Sequence, residues 1–304
     1  MLLRNTLLWL SRRRRLRRWM EESGGGERIR SRFVAGQTLG EAIAACRELR
    51  AAGILATLDH LGENVTTEAD ADRSLGAALT ALGELDREGI AATISVKLTQ
   101  FGMDLDAGLF RNRAEALAGT AAASDRRVEI DMESSRYTAA TLEVAGRLHG
   151  MFGNTRAVIQ AYLKRSAGDI DRLNSLGIPV RLCKGAYLEG PEVAFAAKTD
   201  VDASYRRLMG ELFRRGSSPA IATHDEAIID EAIALASAKG LRPEDFEFQM
   251  LYGVRRELQQ RLVSRGYQVR VYVPYGEAWY PYFMRRLAER PANVWFAIRQ
   301  ITGE

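Results

Sequence analysis

The chain of 304 residues contains only two cysteines, Cys46 and Cys183, far apart and without metal-ligand spacing. That pattern argues against a structural zinc site and for a reduced, cytoplasmic setting. The three histidines, His60, His149 and His224, form no HExxH pattern, so no metal is expected. No GxGxxG follows a strand-like run, and Gly24-Gly25-Gly26 has no βαβ context. A dinucleotide site of the Rossmann type is therefore not indicated. There is no run of about 18 apolar residues, so no membrane-spanning helix is expected. With 46% hydrophobic and 27% charged residues, the chain is large enough to build one substantial core.

The net charge of +4 is unevenly placed. Residues 1–20 carry seven arginines (Arg4, Arg12 to Arg15, Arg17 and Arg18) and no acid. The remainder holds 36 basic against 39 acidic residues, so the body is slightly acidic. This argues against a basic groove, and no nucleic-acid partner is expected. A secretory signal places positive charge before its apolar segment; here the order is reversed. The leucines, Trp9, Trp19 and arginines of residues 1–20 suit a helix lying on an anionic membrane surface. They suit equally a helix packed on the body with a solvated arginine face. Residues 1–36 are thus expected to form a basic helical arm, and residues 37–304 the catalytic domain.

From residue 37 the chain settles into one repeating pattern. Thr38 to Ala52 has helical periodicity, with Gly53 as its C-terminal cap. Strand-like runs follow at Ile54–Asp59, Gly89–Leu98, Arg127–Met132, Thr155–Leu163, Ile178–Tyr187, Ala220–His224, Phe246–Tyr252 and Gln268–Val273. Pro274 and Gly276 mark the end of the last run. Helical stretches rich in Ala, Leu, Glu and Arg separate the runs, and Glu277–Arg290 supplies the eighth helix. Eight strand–helix units predict an α/β fold of the (β/α)8 TIM-barrel type. An N-terminal helical arm and a last helix over the strand C-terminal ends complete it.

A barrel of this kind gathers function at the C-terminal ends of its strands. Those ends carry Asp59, Lys97, Asp131, Gln160, Arg181, Lys184, the Thr223-His224-Asp225 run, Leu251, Tyr272 and Tyr275. Singly, each has a plain structural explanation; a lysine can pair with a neighbouring carboxylate, and a histidine can be a satisfied structural residue. Together they favour an anionic, carboxylate-bearing ligand and a flat aromatic body. The same layout could hold a Schiff-base lysine, Lys97 or Lys184. In the last helix, Tyr282, Arg285, Arg286 and Glu289 share one face. Taken alone, that face reads as solvated. Set beside the strand ends, its two guanidiniums offer bidentate recognition of a carboxylate.

At these residues the chain resembles the flavin-dependent proline dehydrogenase family in its short monofunctional bacterial form. The resemblance rests on Arg181-Leu-Cys-Lys-Gly-Ala-Tyr187, Ala222-Thr-His-Asp225, Phe248-Gln-Met-Leu-Tyr-Gly253, Val271-Tyr-Val-Pro-Tyr-Gly276 and Tyr282-Phe-Met-Arg-Arg-Leu-Ala-Glu289. These fall in order between residues 37 and 296. The resemblance implies noncovalent FAD over the strand ends. It implies oxidation of L-proline to Δ1-pyrroline-5-carboxylate, with electrons passed to a membrane quinone. It assigns Arg285, Arg286 and Lys97 to the substrate carboxylate, with Asp131 positioning Lys97 and substrate. Tyr272, Tyr282 and Leu251 line the pocket. Arg181 lies near the reactive flavin nitrogen, and Met132 and Gln160 contact the cofactor. Lys184, Gly185 and Ala186 take the ribityl and phosphate part, with Thr223 and His224 beside them. Glu63 is implied as the resting partner of Arg285, and Glu289 as a supporting partner on the same helix.

The departures are few. Cys183 replaces an aliphatic residue usual in the family, the arm is unusually rich in arginine, and no fused aldehyde dehydrogenase domain is expected. A similar flavoenzyme for hydroxyproline or another cyclic imino acid remains an alternative, as does a Schiff-base lyase on the same barrel.

Overall fold

In the computed structural model, residues 18, 20, 23–62, 65–106 and 108–289 are described, without the side chains of 24–26, 28, 29 and 287–289. Helix α1 (Gly24–Phe33) and helix α2 (Leu39–Ala51) precede the first strand. Thr38 caps α2. Its hydroxyl accepts from the Glu41 N–H at 3.3 Å, and the Glu41 carboxylate accepts from the Thr38 N–H at 2.9 Å. This reciprocal pairing satisfies two amides that a helix start leaves open.

Eight strands then alternate with helices: β1 (Leu55–His60), α3 (Glu68–Arg87), β2 (Ala92–Val96), α4 (Leu109–Ala123), β3 (Val128–Ile130), α5 (Thr138–Phe152), β4 (Thr155–Gln160), α6 (Ser166–Ser175) and β5 (Val180–Cys183). They continue with α7 (Lys198–Arg215), β6 (Ala220–Ala222), α8 (Glu226–Ala238), β7 (Glu247–Leu251), α9 (Arg256–Ser264), β8 (Gln268–Tyr275) and α10 (Trp279–Glu289). All neighbouring strands are parallel, and β8 pairs with β1 to close the barrel. The expected eight-unit α/β barrel is the observed fold.

Most strands stop short of the apolar runs in the sequence. Strand β5 ends at Cys183, because Gly185 adopts φ +118° and turns the chain into a long loop. Strand β4 ends at Gln160, and Leu163 makes only an isolated bridge to Ala194. Strand β8 errs the other way and runs through Pro274 to Tyr275. Its pairing with β7 extends only to Tyr272. Beyond that point a missing proline N–H deprives no partner on that side, so the strand tolerates Pro274.

Alternation divides the strand residues. Leu58, Ile94, Ile130, Ile159, Leu182 and Val271 are among those buried in the large apolar cluster with the surrounding helices. The opposite set is polar: Thr57 and Asp59, Thr93 and Ser95, Glu129 and Asp131, Arg156, Arg181, Glu247 and Arg270, all buried. Barrels of this type are more often filled by branched aliphatic side chains. Here the interior is filled largely by ion pairs.

A second apolar cluster sits at the mouth. Trp279, Tyr280, Tyr282, Phe283 and Met284 of α10 pack with Phe33, Val34 and Leu61. Met20 joins this cluster; residues 1–17, where most of the expected basic arm lies, and the tail after residue 289 are outside the described residues. Helix α1 is also tied to the turn after β7. Gly253 has φ +72°, and a Cβ there would lie 1.6 Å from the Arg32 carbonyl oxygen. We expect Gly253→Ala to cost at least about 1–2 kcal/mol through the left-handed backbone alone, plus the displacement of α1. Urea unfolding measures it, and an unchanged midpoint would show that α1 does not seat against this turn.

Candidate active site

The strand ends converge on a buried cluster. Lys97, one residue past β2, reaches Asp59 of β1 with Nζ 2.9 and 3.0 Å from its two oxygens. Asp131, one residue past β3, lies 3.6 Å from the same Nζ. Tyr272 of β8 donates to Asp131 Oδ2 at 2.6 Å, and Ser95 of β2 donates to Oδ1 at 2.8 Å. Arg181 of β5 donates to Asp131 Oδ1 through Nη1 at 2.7 Å and to Glu129 through Nη2. Its guanidinium also lies 5.3 Å from the Tyr272 ring centre. Below this tier Arg156 pairs with Glu247, and Arg270 Nε donates to Glu247 at 3.0 Å.

The two carboxylates that share Lys97 differ in environment. Burial and the like charge of Asp131 push the Asp59 carboxyl up, against the pull of Lys97. Burial also opposes ionisation of Asp131, but Arg181 and Lys97 outweigh it and hold its pKa below the usual range. Burial disfavours the charged form of Lys97 as well; Asp59 and Asp131 outweigh that and raise its pKa. The phenol of Tyr272 is pushed well up by burial and by Asp131. At neutral pH this gives a charged lysine, an ionised Asp131 and a protonated tyrosine.

Helix α10 brings its arginines to this mouth. Tyr187, in the loop after β5, is pushed up to about 12 by burial, while Arg285, Lys97 and the carboxylates Glu133 and Asp131 all act on it electrostatically. One phenol therefore senses both the helix and the strand ends. Arg286 lies with its guanidinium 5.2 Å from the Tyr282 ring centre.

The remaining predicted positions form a second group beside the first. Gln160 ends β4, donates to the Glu133 carbonyl at 2.8 Å and accepts from the Ala186 N–H at 3.3 Å. Gly185 is required here, because a Cβ would lie 2.2 Å from the Tyr162 ring. Lys184 sits between Asp202 and Asp225, 2.5 and 3.0 Å away, and so does not join the Lys97 cluster. The Thr223 hydroxyl accepts from the Asp225 N–H at 3.1 Å. His224 Nε2 accepts from the Leu251 N–H at 2.9 Å, which ties the ends of β6 and β7 and leaves that nitrogen unprotonated. Met132 is buried just past β3. Glu63 and the Glu289 side chain lie outside the described residues.

Sequence reading passed over two members of the cluster, Asp59 as the main partner of Lys97 and Glu129 as a partner of Arg181. The available signal was alternation, since Glu129 and Asp131 share the inward face of β3. Among the described residues, no group of His, Cys, Asp and Glu could hold a metal ion, and no helix is long and apolar enough to cross a membrane.

The chain is similar to known proteins over most of its length. A family model described as proline dehydrogenase matches residues 42–299. The chain is 37% identical over 302 residues to proline dehydrogenase 2 of Bacillus subtilis (strain 168), covering 99% of each chain. It is 39% identical over 276 residues to proline dehydrogenase of Deinococcus radiodurans, covering 89% of each. A crystal structure of proline utilization A from Bdellovibrio bacteriovorus superposes with a TM-score of 0.82 at 26% identity, over 87% of this chain and 33% of that one.

Lys97→Met would leave Asp59 and Asp131 buried without their shared cation, a defect that costs about 3–5 kcal/mol. The Asp59 carboxyl, already raised by burial and by Asp131, would then lie further above its unfolded value, while Arg181 still holds Asp131 down. Stability supplied by a raised carboxyl is present below its unfolded pKa and is lost as pH rises through the folded one. The deficit of Lys97→Met is therefore expected to be smaller at pH 5 than at pH 8. Denaturant unfolding at the two pH values measures it, and equal deficits would contradict the pairing.

Proposed function

The chain belongs to the proline dehydrogenase family, and on that footing we propose that it oxidises L-proline to Δ1-pyrroline-5-carboxylate, with noncovalent FAD as acceptor and a quinone beyond it. The observation that carries this reading is the meeting of α10 with the strand ends: Tyr272, which donates to Asp131, packs against the apolar cluster that holds Tyr282 and Phe283. On this reading a small amino acid would lie between these elements, its carboxylate on the arginines and its ring toward the barrel.

The residues present suit a flavin. Arg181 Nε is buried and has no hydrogen-bond partner among the described residues, a donor that a cofactor edge can complete. Gly185 lets the backbone pass close to a ligand. Lys184 would reach a phosphate while sharing its charge with Asp202 and Asp225. When bound, FAD supplies the two-electron acceptor for the hydride that leaves proline C5.

The chain's own groups do the rest. Arg285 and Arg286 take the carboxylate, the rigid fork of each fixing the ring's direction. Tyr272, Tyr282 and Leu251 wall the pocket. Asp131 is held ionised by Arg181 and Lys97, so it is a weak base and serves to orient Lys97 and Tyr272. The amine proton leaves to solvent or to a group other than this carboxylate. A Schiff-base lyase is disfavoured: its lysine must attack as a neutral amine, and Lys97 is held charged while Lys184 is locked between two carboxylates.

The direct test is a yellow purified protein that turns over L-proline with a dye acceptor faster than hydroxyproline; colourless protein without turnover would overturn the reading. Arg286→Lys keeps the charge and loses the fork. It should cost about 1.5–3 kcal/mol, roughly ten- to a hundredfold in kcat/KM, with the flavin still bound. Unchanged kinetics would remove Arg286 from the carboxylate site.

We assign the basic segment of residues 1–20 to reversible attachment at an anionic membrane, where each arginine contributes about 1 kcal/mol at low salt. Truncation is placed before Met20 because that side chain is buried against α10. The truncated protein should oxidise proline with a soluble dye as before and no longer co-sediment with anionic vesicles. Lower thermal stability with unaltered vesicle binding would identify the segment as structural.

A further inference from the structure

Glu129 lies one inward position below Asp131 on β3 and is fully buried. Its two oxygens are divided. One accepts from Arg181 Nη2; the other accepts from Thr93 Oγ1 at 3.1 Å and lies 3.5 Å from Arg156 Nη1. The two ends of the Arg181 fork are thus held by different carboxylates, Nη2 by Glu129 and Nη1 by Asp131 at 2.7 Å. A guanidinium satisfied by one carboxylate takes both of its oxygens in parallel. Here Arg181 instead gives one end to each carboxylate, and Asp131 Oδ2 meets Tyr272 at 2.6 Å and Lys97 at 3.6 Å.

We propose that Glu129 is a positioning residue for the oxidation assigned above: it anchors Arg181 from beneath, so that Arg181 presents one donor to Asp131 and keeps its plane toward the mouth. The proposal rests on the proline-oxidising reading only for its kinetic readout. The geometry asks something specific of a neutral substitute. A glutamine at 129 can turn only its carbonyl toward Arg181, and its amide then faces Arg156. The charge-assisted hold is lost, and Arg181 is drawn into a two-pronged pair with Asp131 that competes with Tyr272.

A merely structural role would be charge balance. Within the ion-paired interior, Asp59, Asp131, Glu129 and Glu247 face Lys97, Arg181, Arg156 and Arg270. Glu129→Gln leaves one positive charge in excess. The double variant Glu129→Gln/Arg156→Gln restores the balance, since Glu247 keeps Arg270, but it does not restore the anchor on Arg181.

Wild type, the single variant and the double variant would be compared as holoenzymes. Four quantities would be measured: thermal unfolding midpoint, flavin content, flavin midpoint potential and proline kinetics per bound flavin. Wild type must first be reduced by L-proline; its failure would sink the functional reading and not the anchoring of Arg181, which the potential and stability still report. Positioning predicts that the double variant recovers the unfolding midpoint but that both variants lose about tenfold or more in kcat, with KM for proline within about threefold because Arg285 and Arg286 are untouched. It also predicts a flavin potential raised in both variants, because Arg181 no longer shares its charge with Glu129. Recovery of kcat and potential together with stability in the double variant would reduce Glu129 to a counter-charge and overturn the proposal. Unchanged kcat in both variants, or a loss confined to KM, would overturn it equally.

Discussion

The structure depends on the requirement that charge buried inside a barrel be matched by charge. Taking a carboxylate or guanidinium out of water costs several kcal/mol per ion, and an ion pair offsets that only with good geometry. The closed sheet supplies the geometry. Its parallel register sets Ser95 beside Glu129 and Glu129 beside Arg156, so inward side chains of neighbouring strands meet at nearly the same height. Arg181 then spans two heights, with Glu129 below and Asp131 above. An apolar interior would fill the same volume with less desolvation. What the ionic filling adds at the mouth is an acid, a lysine and a phenol whose protonation states are set by their partners.

The mouth itself is built from two kinds of element. The strand ends give a floor, because Asp59 and Arg181 sit in strands paired on both sides and Lys97 and Asp131 follow directly on β2 and β3. Helix α10 is attached differently. It is seated by the apolar cluster of Trp279, Tyr280 and Phe283 against Phe33 and Val34, and its arginines project from the adjoining face. On the function proposed above, the α10 arginines would take the carboxylate while the strand ends would face the flavin. This division suits a reaction in which a small ring must be oriented by its carboxylate while a hydride leaves from its far side.

Much of this was legible in sequence. The eight-fold recurrence of strand and helix specified the barrel, because a short run of β-branched residues followed by a helical period has few other stable arrangements. The same recurrence placed Lys97, Asp131, Gln160 and Arg181 at strand ends. Strand limits were less legible. Apolar runs continue into the loops after β4 and β5, where Leu163 and Tyr187 are buried or half-buried by the loop itself. Pro274 reads as a stop, yet β8 continues past it, since the fault a proline introduces matters only where a neighbouring strand is present to miss the N–H.

Partner choice was legible only in part: the resemblance set Asp131 beside Lys97, and the two lie 3.6 Å apart. Sequence alone determined that side chains alternate along each strand, because side-chain direction there has a period of two, and that charged residues stand at the strand ends. Only the closed sheet decided that Asp59 takes Lys97, that Arg181 divides itself between Glu129 and Asp131, and that Lys184 turns to Asp202 and Asp225 instead. Those choices join residues tens of positions apart. They depend on the heights at which parallel strands are staggered, and that stagger exists only when the first strand has met the eighth.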